Sequence, residues 1–281
     1  MHMLKNVTLG QYYPGNSPVH RLDPRMKIYL TIAYIVGVFM VGNLPGYVLA
    51  LAFLLGATRL SGIRIKYLLR GLRPLMFIIV FTFVLNLFFA AGETVLVALG
   101  PLHITYEGLR TAVYYSLRLM FLVMGTSLLT LTTSPIQLTD GIERILRPLQ
   151  VFHFPAHELA MMMTIALRFI PMLLEETDKI MKAQMARGAD FESGNLMQKA
   201  KNMVPLLVPL FISAFRRAND LAMAMEARGY HGGEGRTKMK PLMYVRRDHM
   251  AYLMLLLYLI VMFIASRVNV IETLMMSVLH W

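Results

Sequence analysis

Long runs of apolar residues constrain the fold of this chain more than any other feature. They cover residues 26–42, 47–60, 74–91, 109–131 and 251–265 and contain few charges. Backbone groups inside a bilayer have to be satisfied within their own segment, so such runs form helices. Hydrophobic residues make up 57% of the chain, above the roughly 45–50% of soluble domains. We therefore predict an all-α polytopic membrane protein with about five transmembrane helices.

The basic residues are distributed in a way that predicts the orientation. Of the 28 Lys and Arg residues, 25 lie before or at the start of the first run, from the end of the second run to the third, or between the fourth and fifth. Loops rich in Lys and Arg stay on the cytoplasmic side. Five spans with a cytoplasmic N-terminus place all three basic segments on that side and the C-terminus outside. The net charge of +12 then reflects membrane topology and contact with membrane lipid, and we predict no nucleic-acid partner.

These patterns divide the chain into four parts. Asp23 before Pro24 predicts an N-cap followed by proline at the first helical position, and the basic stretch 59–73 predicts an interfacial helix. The predicted parts are a cytoplasmic N-terminal segment over 1–25, transmembrane helices 1–4 over 26–133, a cytoplasmic helical domain over 134–247, and the last transmembrane helix with a short external tail over 248–281.

The cytoplasmic helical domain contains two helical patterns that resemble each other. We predict one helix from about Glu158 to Arg187, broken or bent at Pro171, and another from about Leu196 to Arg228. Each begins with an apolar half that falls short of a full span, and each then becomes charged. Each ends in the same tripeptide at a matching position of its helix. The two copies are Ala186-Arg187-Gly188 and Ala227-Arg228-Gly229.

The tripeptide has two interpretations. Gly just past a helix end is the commonest C-cap, and a cation in the last turn suits the helix dipole, so a single copy would indicate helix termination only. Two copies on two similar helices, both predicted on one face of the membrane, favour a second role. An arginine at a helix tip carries a permanent charge on a planar fork, which suits an acidic groove on a partner protein.

These motifs resemble those of a known family. The segment Pro14-Gly15-Asn16-Ser17, followed by residues 20–25, resembles the entry to the first helix in the transmembrane T component of energy-coupling factor (ECF) transporters. The segment from Arg168 to Pro171 with Glu175-Glu176, both Ala-Arg-Gly tripeptides, and residues 215–218 before the second one resemble the coupling domain of that family. The resemblance covers nearly the whole chain.

The resemblance implies a division of labour among several proteins. Two cytoplasmic ABC-type ATPases would bind and hydrolyse ATP with Mg, a small membrane S component would capture a vitamin or metal ion, and this chain would couple them in a prokaryotic cell membrane. Arg187 and Arg228 would each lie in a groove of one ATPase. The sequence contains no phosphate-binding Gly-rich loop ending in Lys-Ser or Lys-Thr. We therefore expect a non-catalytic subunit that binds no cofactor itself.

Methionine is unusually frequent, with 24 residues. Met-rich surfaces repack easily and suit proteins with several partners, which favours a T component shared among several S components; the alternative is that Met fills irregular helix packing. A T component dedicated to one S component, for example for biotin or for cobalt or nickel, also stays open. The candidate S-component contacts lie in the apolar halves of the two helices: Met161, Met162, Met163, Pro171, Pro205 and Pro209.

Other candidate sites carry less support. His153 and His157, with Glu158 adjacent, suggest a metal site, but Pro155 between them favours a helix-entry turn, so we predict no metal ligand. The predicted spans contain no convincing catalytic pair. Arg118 inside the fourth run either contacts a neighbouring helix or subunit, or lies near the membrane interface.

Two rival classes of transport protein are less well matched. A secondary transporter would more often show inverted repeats and interrupted spans around a site at the membrane midplane. This chain has its repeat in the predicted cytoplasmic domain instead. A channel subunit would leave the Arg-tipped helices without a role.

Overall fold

The computed structural model describes residues 12–89, 94–99, 102–152, 154–191, 195–232 and 242–267. Over these residues the chain forms α-helices and one antiparallel hairpin, so the all-α prediction is confirmed. The helices are α1 (Pro24–Met40), α2 (Leu44–Ser61), α3 (Ile65–Leu72), α4 (Met76–Phe89), α5 (Tyr106–Thr132), α6 (Pro135–Leu146), α7 (Ala156–Ala186), α8 (Leu196–Ala227) and α9 (Arg246–Arg267). The strands are β1 (Val95–Leu99) and β2 (Leu102–Thr105).

The described residues divide into two compact units. The first, which we call the membrane unit, comprises residues 12–141 and 242–267 and contains α1–α5, α9 and the hairpin. The second, the two-helix unit, comprises the described residues from 142 to 232 and contains α7 and α8. The short helix α6 crosses the boundary between residues 141 and 142.

Several helices are long and apolar enough to cross a membrane. Within the described residues there are five such segments: Leu44–Ser61, Ile65–Phe89, Tyr106–Thr132, Ala156–Ala186 and Arg246–Arg267. Four of them match predicted runs. The remaining predicted run corresponds to α1, which has 17 residues and so lies at the lower limit for spanning, about 17 residues. By length and composition α7 qualifies instead, so the prediction that its apolar half falls short of a span was wrong.

Buried carboxylates tie the start of α1 to the start of α9. Asp23 is the N-cap of α1, as predicted, because its Oδ1 accepts the backbone N–H of Arg25 at 2.9 Å. The Arg25 guanidinium donates to both Asp23 oxygens, at 2.8 and 3.0 Å. Asp248 Oδ1 accepts the backbone N–H of Asp23 at 2.9 Å, and its Oδ2 accepts that of Val245 at 2.8 Å. Asp248 thereby satisfies a backbone donor at each of the two helix starts.

Lys27 is buried in the same region. Its ammonium donates to the backbone carbonyls of His20 and Thr132, both at 2.9 Å, which links the segment before α1 to the end of α5. A buried cation is costly unless an anion and hydrogen-bond acceptors compensate it. Asp23 supplies the nearby negative charge.

Arg118 closes the opposite end of α1. Its Nη2 donates to the carbonyl of Val41, the C-cap of α1, at 2.9 Å. The guanidinium also lies 5.6 and 5.4 Å from the ring centroids of Phe39 and Tyr115. A cation at a helix C-terminus and over aromatic faces is stabilised in both respects. This geometry favours the helix-contact interpretation of Arg118.

Aromatic side chains fill the centre of the membrane unit. The rings of Phe53 on α2 and Tyr258 on α9 lie 4.4 Å apart, and both contact Tyr34 on α1. Two glycines make room for these rings, because a Cβ atom would lie 2.6 Å from Tyr258 at Gly37 and 2.5 Å from Tyr34 at Gly125. Small residues of this kind let helices approach closely in membrane proteins.

The connection between α4 and α5 contains the β-hairpin, which was not predicted from the sequence. β1 pairs antiparallel with β2, and β2 leads directly into α5. Thr105 caps α5 by accepting the backbone N–H of Gly108 at 3.1 Å. The Thr94 hydroxyl donates to the carboxylate of Glu107 at 2.8 Å, which fastens the base of the hairpin to the first turn of α5.

Candidate functional site

The first Ala-Arg-Gly tripeptide forms the C-terminal end of α7. Gly188 N–H donates to the carbonyl of Met185 and Ala189 N–H donates to that of Gln184, both at 3.0 Å. This pair of hydrogen bonds is the Schellman motif, which satisfies carbonyls that a helix end leaves unpaired. Gly188 has φ +89°, a left-handed backbone conformation that residues with a Cβ atom rarely adopt.

The second tripeptide forms the same structure at the end of α8. Gly229 N–H donates to the carbonyl of Glu226 at 2.8 Å, and Tyr230 N–H donates to that of Met225 at 3.0 Å. Gly229 has φ +70°. The two helix ends are therefore alike position by position, and the conformation of each requires the glycine of the tripeptide.

The arginines of the two tripeptides also occupy equivalent positions. Arg187 and Arg228 are the C-cap residues, with φ and ψ of −88° and 5° and of −90° and 9°. Both side chains are exposed, and within the described part of the chain neither has a hydrogen bond or an ion pair. Helix capping thus explains the glycines but not the arginines, because neither arginine side chain bonds a helix carbonyl. Each guanidinium keeps its donors available to a carboxylate of another protein.

An ion pair joins α7 and α8 at matched positions. Arg217 Nη2 lies 3.2 Å from Glu176 Oε2, and Arg217 Nη1 lies 2.9 Å from the sulfur of Met172. The interval in sequence from Glu176 to Arg187 equals the interval from Arg217 to Arg228. At about 1.5 Å of helix rise for each position, each arginine of the tripeptides lies about 16 Å along its helix from this contact.

The charges around this contact are complementary along both helices. Positions on α7 and α8 related by the same offset as the two tripeptides carry opposite signs in four cases, three of them near this contact: Glu175 and Arg216, Glu176 and Arg217, Lys179 and Asp220, with Glu158 and Lys199 farther away. This pairing was not predicted from the sequence, in which the charged half of each helix was interpreted by itself. The sequence did contain an indication of this pairing, since residues separated by the same interval as Arg187 and Arg228 have opposite charges at these positions.

Charge reversal at the contact is expected to change how α7 and α8 pack. Glu176→Arg places two cations at the contact, and like charges repel, so we expect a changed or broadened distance between spin labels at Lys182 and Met223. The chain contains no cysteine, so two introduced cysteines are the only labelling sites. Adding Arg217→Glu should restore the original distance distribution. Asp178→Arg, whose matched position on α8 is the uncharged Asn219, is the control, and an unchanged distribution in Glu176→Arg would contradict the role of the pair.

The candidate S-component residues lie on these same helices. Met162 and Met163 are exposed and Met161 is half-buried; Pro171 and Pro205 are exposed and Pro209 is half-buried. The helix was predicted to be broken or bent at Pro171; α7 continues through this residue, so it is not broken there, and a bend stays a prediction. A proline removes one backbone hydrogen bond, which long helices of membrane proteins can accommodate. Whether these six residues contact a partner stays a prediction.

One of the two histidines considered as metal ligands forms a contact between α6 and α7. His157 Nδ1 lies 3.0 Å from Glu143 Oε1, which fixes the entry to α7. His153 lies outside the described residues. Over the part of the chain that the structure describes, His, Asp and Glu side chains form no group of three or more suited to a metal ion.

Comparison with known proteins identifies the family. A family model described as CbiQ, cobalt transport protein, matches residues 15–239. Relatives named energy-coupling factor transporter transmembrane protein EcfT include one from Thermosediminibacter oceani, 61% identical over 89% of this chain and 94% of the relative. One from Clostridium kluyveri is 55% identical over 95% and 98%, and one from Bacillus subtilis is 48% identical over 88% and 93%. With its apolar helices and paired Arg-tipped helix ends, the chain therefore belongs to the EcfT family of transmembrane components of energy-coupling factor transporters.

Proposed function

We propose that this chain is the non-catalytic coupling subunit of its transporter and that Arg187 and Arg228 dock two cytoplasmic ATPases. The observation that carries the proposal is the pair of matched helix ends, each with an exposed arginine that has no partner in the described residues. Each of the two arginines would enter an acidic groove, one on each ATPase. The Glu176–Arg217 contact would transmit movement from one helix to the other, and ATP and Mg would bind only to the ATPases.

The proposed orientation follows from the basic residues. The N-terminus, the loop that contains α3 and the two-helix unit would lie on the cytoplasmic side of a prokaryotic cell membrane, because these segments carry most of the Lys and Arg residues. This proposal includes α7, whose candidacy as a span rests on length and composition only. α3 supports a position at the membrane surface: it buries Leu68 and Leu72 while Lys66 and Arg70 are exposed. Amphipathic helices with exposed basic residues commonly lie in the headgroup region.

We further propose that α7 and α8 contact a substrate-binding S component and that several S components share this subunit. Large apolar side chains are exposed along both helices, with Met162 54%, Met197 83% and Met223 69% exposed. Flexible thioether side chains adapt to differently shaped partners. The transported substrate would bind to the S component, so the substrate's identity is a property of that protein.

Gentle detergent extraction of the tagged chain from its native membrane tests this assignment. We expect two P-loop ATPases and at least two different small apolar membrane proteins among the co-purified proteins, identified by mass spectrometry. A single small protein under all growth conditions would indicate a dedicated subunit instead. Recovery of the chain alone, even after mild cross-linking, would contradict the coupling role and favour a self-sufficient transporter or channel.

A further inference from the structure

The membrane unit contains a cavity of about 410 Å³ at one end. Its walls come from the first turns of α1 and α9 and the last turns of α2 and α5. The same end holds the bond between Asp23 and Asp248 and the bond between Lys27 and Thr132. Four helix ends therefore meet around the cavity at one surface of the unit.

The cavity walls are almost entirely apolar. Their aliphatic lining residues include Leu30, Leu54, Leu60, Leu128 and Met250. Gly56 also lines the cavity, and a Cβ atom there would meet no atom within 4 Å. Native interiors are close-packed, so an apolar space of this size within a membrane-spanning unit calls for an apolar occupant. The apolar groups in largest supply around such a unit are lipid acyl chains.

A cation without a partner lies among the lining residues. Arg247 is exposed, and in the described parts of the chain its guanidinium has no hydrogen bond or ion pair. The two nearby acids are already engaged: Asp23 is held by Arg25, and Asp248 accepts two backbone N–H groups. The charge of Arg247 is thus available to an anion. Basic residues beside clefts between membrane helices bind anionic lipid headgroups.

We propose that this cavity is a binding site for one anionic phospholipid, with an acyl chain between α1, α2, α5 and α9 and the phosphate on Arg247. The combination of apolar walls with a cation matches the two halves of that molecule. The site lies entirely in the membrane unit, so it is independent of the proposed docking of ATPases.

The headgroup part of the proposal is tested by native mass spectrometry of the purified full chain. Phosphatidylglycerol and phosphatidylcholine with identical acyl chains are titrated separately. We expect one retained phosphatidylglycerol, bound about fivefold more tightly than phosphatidylcholine, since one basic residue near the surface accounts for a preference of that size. Arg247→Gln should abolish the preference. Arg246→Gln, the neighbouring arginine outside the cavity lining, should keep it. Equal binding of both lipids to the unaltered chain would overturn the proposal.

The acyl-chain part is tested by filling the cavity. Gly56→Leu introduces a side chain into open space within α2, and leucine is the better helix former, so the fold is expected to persist. Binding of both lipids should fall at least about tenfold, which two buried methylene groups account for. Gly42→Leu, which also meets open space but does not line the cavity, should bind as the unaltered chain does.

Three results would overturn the acyl-chain assignment. One is unchanged lipid binding in Gly56→Leu with an unaltered thermal unfolding profile. Another is absence of bound lipid in the full chain together with its appearance in a variant lacking residues 2–11, which would identify the chain's own N-terminal segment as the occupant. Displacement of the bound lipid by inorganic phosphate alone would show that the headgroup contact dominates and would likewise contradict a seated acyl chain.

Discussion

The double variant Arg187→Glu with Arg228→Glu is expected to lose its ATPase partners while it still inserts into the membrane. Both arginines are exposed and support no contact among the described residues, so their replacement should leave the chain's own fold intact. Removing one member of a buried charge pair at an interface costs about 2–5 kcal/mol. Reversal at each helix end should therefore weaken binding of the ATPase at that end by at least about thirtyfold. Co-purification from detergent extracts measures this directly.

The matched control for that experiment changes the same net charge elsewhere on the same helices. Lys182→Glu with Arg216→Glu reverses two exposed basic residues and should retain ATPase binding to within a few fold. Each single tip variant should retain one docked ATPase at most. Normal recovery of both ATPases by the double tip variant would refute the assignment of the docking residues.

Asp248→Ala is expected to destabilise the membrane unit strongly. It removes a buried carboxylate that accepts two backbone N–H groups, those of Asp23 and Val245. Leaving a buried donor without an acceptor costs about 1–3 kcal/mol for each donor. Thermal unfolding in detergent should therefore show a large fall in the midpoint temperature. Asp248→Asn keeps one acceptor oxygen, and its midpoint should lie between those of Asp248→Ala and the unaltered chain.

The control for this prediction is an exposed carboxylate. Asp220→Ala on α8 removes the same group from a solvent-accessible position, and surface changes of this kind usually alter stability by less than about 0.5 kcal/mol. Equal unfolding profiles for Asp248→Ala and Asp220→Ala would show that the link between α1 and α9 does not stabilise the unit.

Local signals in the sequence were sufficient to predict the ends of several helices. Asp23 before Pro24 predicted the N-cap of α1, and the two Ala-Arg-Gly tripeptides predicted the ends of α7 and α8 to within one residue. These features succeed because capping depends on residues a few positions apart. The same locality explains why the glycine conformations at 188 and 229 follow from the sequence.

Contacts between distant residues could not be predicted in this way. The bond between Asp23 and Asp248 joins positions 225 residues apart, and nothing near either residue indicates the other. The Glu176–Arg217 pair depends on where α7 and α8 meet, although the offset between the two tripeptides pointed to it. The span assignment of α1 depended on its length of 17 residues, where a shift of one or two residues changes the outcome, whereas α7, with 31 residues, qualified through its apolar composition.

The position of the Glu176–Arg217 contact has a mechanical consequence. From the helix rise, it lies about 16 Å from each arginine of the tripeptides but about 30 Å from Ala156 and from Leu196, where the two helices begin. If α7 and α8 turn about it like the blades of scissors, each end travels in proportion to its distance from the hinge point. The apolar ends would then move roughly 1.9 times as far as the arginine ends. A closure of about 5 Å between the arginine ends would change the separation of the apolar ends by about 9 Å. The pair of helices would thus convert a smaller displacement at the arginines into a larger displacement, with less force, at the apolar ends.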